Sequence, residues 1–184
     1  MTEPTKVPPR TVPDRDSKYM GEAWMKAAFS KDPSTQVGAV IISRENFPLG
    51  SGYNGPPRMI NDTSFSWERP PKDNPDAFSK YDVIVHAEIN AIDHSMCSDL
   101  HGATLYVTAM PCPACMKEIV RKEISRVVYY DFQSSYNSSS QNADWRDKTL
   151  QLAQMAHVRM DLFKGNLNWI TDWTMRLKDL GVLE

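Results

Sequence analysis

No stretch of this 184-residue sequence is apolar over anything near the roughly 20 residues that cross a bilayer. The opening MTEPTKVPPRTVPDRD lacks the apolar core of a secretory leader, so a cytoplasmic chain with no membrane partner is expected. Neither sign of charge dominates: 21 Lys and Arg stand against 23 Asp and Glu, a formal net charge of −2 with a pI near 6.1. A nucleic-acid-binding face normally lifts the pI of a domain above about 9. No polynucleotide partner is therefore expected, whereas a small anion held by a few local cations stays open. Cysteine is scarce, with 3 in the chain, two of them spaced Cys-x-x-Cys. That excludes the disulfide framework of a small secreted scaffold and leaves metal or redox chemistry. There is no internal repeat, and the length suits one domain.

What is there is unevenly placed. Of 13 prolines, four lie in residues 1–13 and six in 48–75. The first cluster, poor in large apolar residues, reads as a mobile arm over 1–15 ahead of a single domain over 16–184. Tyr19, Met20, Ala23, Trp24 and Ala27 recur at helical spacing, with Asp16 or Ser17 as N-cap and Asp32-Pro33 as the stop. Val37–Ile42 reads as a buried strand, followed by a second ending near Tyr53. Residues 54–82 lack periodicity, which marks a functional loop rather than a spacer. After it come a helix carrying His86 and Glu88, a strand at 103–108, a helix opened by Pro111-Cys112-Pro113 and a strand at 126–130. A Ser-rich surface loop at 134–141 leads to a helix at 143–156, a strand at 158–163 and an aromatic helix at 168–180. Alternating strands and helices predict an α/β fold: one mixed sheet of about five strands with helices on both faces.

The chemistry lies in His86-Ala-Glu88 and Pro111-Cys112-Pro-Ala-Cys115, both at predicted helix starts. A helix N-terminus favours the thiolate of a cysteine placed there. Two thiolates and one imidazole make three zinc ligands and leave the fourth tetrahedral position to water, whose pKa zinc lowers towards about 7. Glu88, about 200° round the helix from His86, is placed to shuttle protons beside such a hydroxide rather than to ligate. The pattern H-x-E…P-C-x-x-C is the signature of zinc nucleobase deaminases. A closed zinc knuckle would need a fourth ligand, which Cys97 and the other histidines do not supply in any ligand-like spacing. A thioredoxin-type Cys-x-x-Cys would leave His86 and Glu88 unexplained.

These residues, with Ser30-Lys-Asp-Pro33, Gln36–Val40, Gly52-Tyr-Asn-Gly55, His86–Ile92 and Leu105–Thr108 in the same order, resemble the deoxycytidylate (dCMP) deaminases of the zinc cytidine deaminase superfamily. The resemblance implies the three-layer cytidine deaminase-like fold and hydrolysis of dCMP to dUMP and ammonia, supplying thymidylate synthesis. It implies one zinc per chain held by His86, Cys112 and Cys115, with Glu88 as proton shuttle. Asn54 would bond the sugar and the Ala87 backbone would read the pyrimidine edge. Action on dCTP, alone or beside dCMP, is the alternative, and a non-catalytic zinc-stabilised nucleotide-binding module is a distant one.

By family position the 5′-phosphate falls near Lys31, Ser34 and Thr35, although a surface lysine beside a capped turn explains Lys31 equally well. Tyr136 is a candidate for stacking on the base, or an exposed loop tyrosine. The resemblance also implies a homohexamer activated by dCTP and inhibited by dTTP with a divalent cation such as Mg²⁺. Gly55, Arg58, Asn61 and Asp62 are the effector candidates. The chain departs from the family in carrying Met59 where glycine is usual; if that glycine holds a positive φ, methionine disfavours the same turn. The plainer expectations are core packing for Cys97, a surface place for His94, packing or subunit contact for Trp169 and Trp173, and helix-dipole complementarity for Arg121, Lys122 and Arg126.

Overall fold

The computed structural model describes residues 11–131 and 140–183, with side chains in the second stretch described from residue 144. Tyr136 and most of the Ser-rich tract lie outside the described residues. Helix α1 spans Arg15–Ala27. Its N-cap is Asp14, whose carboxylate accepts from the Ser17 N–H at 3.0 Å and its hydroxyl at 2.7 Å. The cap thus stands earlier than either residue expected for it, and Arg15 already belongs to the helix. Asp16 turns its carboxylate to Tyr106 and Arg126 instead.

Strands β1 (Gly38–Ile42) and β2 (Pro48–Tyr53) form an antiparallel hairpin. A short helix α2 (Lys80–Val83) closes the proline-rich loop and leads to α3 (Ala87–Asp93). Then follow β3 (Thr104–Val107), α4 (Pro113–Arg121), β4 (Arg126–Tyr129), α5 (Ser140–Met155), β5 (Arg159–Leu162) and α6 (Asn168–Asp179). The five-stranded sheet runs β2-β1-β3-β4-β5; β1 pairs antiparallel with β3, and β3, β4 and β5 are parallel. This is the expected mixed sheet. Helix α5 begins at Ser140 rather than near 143, so Ser140 and Gln141 of the Ser-rich tract are helical and not loop.

Alternation along the strands builds two layers of core. Ala39 and Ile41 of β1, Leu105 and Val107 of β3 and Val127 of β4 pack with Ala87, Ala91 and Ile92 of α3, Met116 and Ile119 of α4 and Ala153 of α5. On the other face Val40, Ile42, Tyr106 and Val128 pack with Tyr19, Met20 and Ala23 of α1. Trp169 of α6 donates its indole N–H to Ser17 O at 3.1 Å, so it packs on α1. Among the described residues no helix is long and apolar enough to cross a membrane.

Two minor expectations change. Cys97 is half-buried rather than in the core, in the loop after α3. Arg126 is no helix-end cation: it lies in β4 and pairs with Asp16 and Asp161. Arg121, in the last turn of α4, pairs with Glu118.

Candidate active site

Two helix N-termini converge at the end of the sheet. Just past β2, the Gly55 N–H donates to Val85 O at 3.1 Å and the Val85 N–H to Gly55 O at 3.0 Å. This single bridge sets Asn54 beside His86. Helix α3 lies directly on β2 because Gly52 has no side chain; a Cβ there would stand 2.4 Å from Ala91 N and 2.7 Å from Ala87 O. His86 is the N-cap of α3, in extended backbone, with no side-chain cap bond. Cys112 takes the same position on α4, ahead of Pro113, whose missing N–H costs nothing at a helix start. From α5 the buried Thr149 hydroxyl donates to Pro111 O at 3.1 Å and holds the chain entering α4.

The convergence brings three ligand atoms together. His86 Nδ1 lies 3.2 Å from Cys115 Sγ and 3.6 Å from Cys112 Sγ. All three atoms lie within 4.8 Å of one another, and among the described residues no fourth His, Cys, Asp or Glu completes the cluster. Tetrahedral zinc, with Zn–S near 2.3 Å and Zn–N near 2.05 Å, separates a nitrogen and a sulfur ligand by about 3.6 Å. The donor set therefore fits zinc in both type and spacing. The Cys115 thiol beside it holds the Cys112 thiol down to about 4, burial opposing and His86 assisting. The hydrogen bond with Cys112, with burial behind it, pushes the Cys115 thiol up.

Glu88, in the first turn of α3, is 4% exposed. Burial pushes its carboxyl up, against the opposing influence of His86. It lines a cleft of about 480 Å³ together with His86, Cys112, Ala87 and Asn54, which continues along Ser34, Thr35, Asp32 and Lys80. A buried carboxylate beside a three-ligand metal cluster, in a cleft of this kind, is equipped for proton transfer during hydrolysis.

The model of the cytidine and deoxycytidylate deaminase zinc-binding region matches residues 13–131. The chain belongs to this deaminase family. A deoxycytidylate deaminase of Pongo abelii is 40% identical over 111 residues, 60% of this chain and 61% of that protein. The chain thus spans about 61% of the length of that relative. A probable deoxycytidylate deaminase of Drosophila melanogaster is 38% identical over 136 residues, 70% of this chain and 67% of that protein. The crystal structure of dCMP deaminase from the cyanophage S-TIM5, in complex with dCMP and dUMP, shares the fold. Its TM-score is 0.60 at 24% identity, covering 84% of this chain and 100% of that one.

Within the deaminase family frame, the sequence candidates sort themselves by position. Asn54, 6% exposed, Ala87, Ser34 and Thr35 all line the cleft. Lys31 does not: its exposed ammonium pairs with Asp62. The chain turns at Asp32, and Lys31 ahead of it lies on the exposed side. Gly55 is committed to its bridge with Val85. Arg58, Asn61 and Asp62 stand on the turns that follow, outside the cleft lining, with Asn61 Oδ1 accepting from the Thr63 N–H at 3.1 Å. Outside glycine, positive φ among the described residues falls at Asn46, Glu123 and His157. Met59 therefore sits in ordinary backbone, and the departure from the family glycine costs no strain here.

Sequence reading missed Asp32, Lys80, Arg69 and Trp145, all of which line the cleft. Asp32 was visible as part of a helix stop and of the family-matching Ser30–Pro33 segment, but not as a named cleft residue. Lys80 carried a faint signal, since Ser79 and Asp82 form a capping box around it just ahead of His86. Trp145 reaches the cleft from α5, and nothing in its sequence neighbourhood announces that.

Proposed function

We propose that this chain deaminates dCMP, exchanging the C4 amine of the cytosine ring for water and releasing dUMP and ammonia. The observation that carries the reading is the meeting of His86, Cys112 and Cys115 at two helix N-termini, with the buried Glu88 in the same cleft. The relatives named as deoxycytidylate deaminases support the choice of substrate. His86, Cys112 and Cys115 hold the zinc ion, which supplies Lewis acidity that makes water reactive at neutral pH. Glu88 takes a proton from the attacking water and passes it to N3 of the pyrimidine, then carries the second proton, from the hydroxyl now on C4, to the departing amine. Burial keeps bulk water from short-circuiting that transfer. The Ala87 backbone, at the start of α3, reads the pyrimidine edge. Asn54 bonds the sugar, and Ser34 and Thr35 receive the 5′-phosphate end.

In this reading dUMP goes on to thymidylate synthesis. The turn bearing Gly55, Arg58, Asn61 and Asp62 takes the nucleotide effectors dCTP and dTTP on a homohexamer, as the family resemblance suggests.

The test follows cytosine absorbance with zinc-loaded protein and dCMP or dCTP as separate substrates. Conversion of dCMP is expected. Conversion of dCTP at a comparable rate would widen the substrate to the triphosphate, and inertness towards both would overturn the reading.

A further inference from the structure

Lys80 and Asp32 form a salt bridge inside the cleft wall. The ammonium reaches Asp32 Oδ1 at 2.8 Å and Oδ2 at 2.9 Å, and the two side chains are only 4% and 5% exposed. Such a pair gains little, in stability, over well-packed apolar residues of the same volume. Its distinguishing property is geometric. Asp32 Oδ1 also accepts from the Ser34 N–H at 2.9 Å, the Ser34 hydroxyl at 2.9 Å and the Thr35 N–H at 3.2 Å. Lys80 therefore clamps the carboxylate around which the 32–35 turn is wound.

The turn in turn grips Asn54. Thr35 O accepts from Asn54 Nδ2 at 2.9 Å, and Asn54 Oδ1 accepts from the Val37 N–H at 2.8 Å. A carbonyl bonds only the amide nitrogen and a backbone N–H only the amide oxygen, so the two contacts settle which way the amide faces. Nδ2 carries a second hydrogen for a ligand in the cleft.

We propose that the Lys80–Asp32 pair is a positioning device, acting through the Ser34–Thr35 turn to hold the Asn54 amide in the orientation that receives the sugar of the nucleotide. The inference rests on the reading of this cleft as a deoxycytidylate site. Neither residue touches the reacting atoms; both act through the 32–35 turn, where Lys80 also donates to the Ser34 hydroxyl.

A double-mutant cycle tests it. Lys80→Met is expected to lower kcat/KM for dCMP by roughly tenfold to a hundredfold, the scale of a misplacement near 1 Å, with zinc content unchanged. In the Asn54→Ala background the same change is expected to cost several-fold less than in wild type, the remainder falling on Ser34 and Thr35 of the same turn. Equal losses in both backgrounds would overturn the proposal.

Side-chain ¹H–¹⁵N spectra of the zinc-loaded protein keep the test apart from the reaction. The Asn54 amide pair, assigned by its absence from Asn54→Ala, is expected to shift in Lys80→Met. An unmoved pair would overturn the proposal even in an active enzyme. A shifted pair in protein inert towards both dCMP and dCTP would instead sink the catalytic reading and leave the positioning role standing. Lys80→Gln, which keeps a hydrogen-bond donor in the wall, carries the same measurements should Lys80→Met fail to fold.

Discussion

Arg126 grips both carboxylate oxygens of Asp16 across 110 residues of chain, Nη1 to Oδ1 at 2.9 Å and Nη2 to Oδ2 at 2.7 Å. The fork ties the first turn of α1 to β4 in the middle of the parallel strands, and the Tyr106 hydroxyl donates to the same carboxylate at 2.7 Å. Arg126 is the main reason that the Asp16 carboxyl lies below its usual value of 3.8. A depressed acid contributes stability that is complete above its unfolded value and is lost as pH falls through the folded one. Asp16→Asn is therefore expected to cost about 1.5–3 kcal/mol at pH 7, the range for hydrogen bonds to charged groups. Urea unfolding at several pH values checks this: the gap from wild type should begin to narrow below about pH 4 and close only once pH falls below the depressed value of folded Asp16.

Loss of a ligand should empty the metal site before it unfolds the core. Cys115 is buried between α3 and α4, but its sulfur is the only polar atom it brings there. Cys115→Ser is expected to weaken zinc binding by more than the roughly 10–100-fold seen on losing an outer-shell partner. Metal content by elemental analysis after dialysis reads this directly. A variant that retains one zinc per chain with wild-type affinity would remove Cys115 from the ligand set.

Glu88→Gln keeps the size and burial of the side chain and removes its capacity to accept a proton. Turnover of dCMP is expected to fall by at least about 10²–10⁴-fold, the contribution of a positioned acid–base group. Zinc content and melting temperature serve as controls. Full turnover with bound zinc would strip Glu88 of its proposed role.

Gly52 is a sharper probe of how the site is assembled. A Cβ at this position meets backbone atoms of Ala91 and Ala87 at 2.4 and 2.7 Å, so α3 itself must retreat from β2. Gly52→Val is expected to destabilise the protein by about 1–3 kcal/mol, as overpacking does. It should also carry His86 away from Cys112 and Cys115. A zinc affinity that falls further than the loss of stability explains would show the coupling; unchanged affinity would contradict it.

Much of this was legible in the chain alone, and for definite reasons. Helix spacing from Tyr19 to Ala27, the apolar run ending at Ile42 and the alternation through Tyr106 are local patterns with periods of 3.6 or 2, and they predict elements without knowledge of their neighbours. His86, Glu88, Cys112 and Cys115 announce themselves because few residue types ligate zinc or carry protons, and because both pairs stand at helix starts. The tertiary structure alone decided which residues share the cleft. The bridge between Gly55 and Val85 brings Asn54 to His86, the turn at Asp32 sends Lys31 outward to Asp62, and the end of the proline-rich loop returns Lys80 to Asp32 across 48 residues. Such contacts have no sequence period. They follow from the closing of the chain around a sheet, where burial of an unpaired charge is too costly to leave Lys80 or Asp32 without the other.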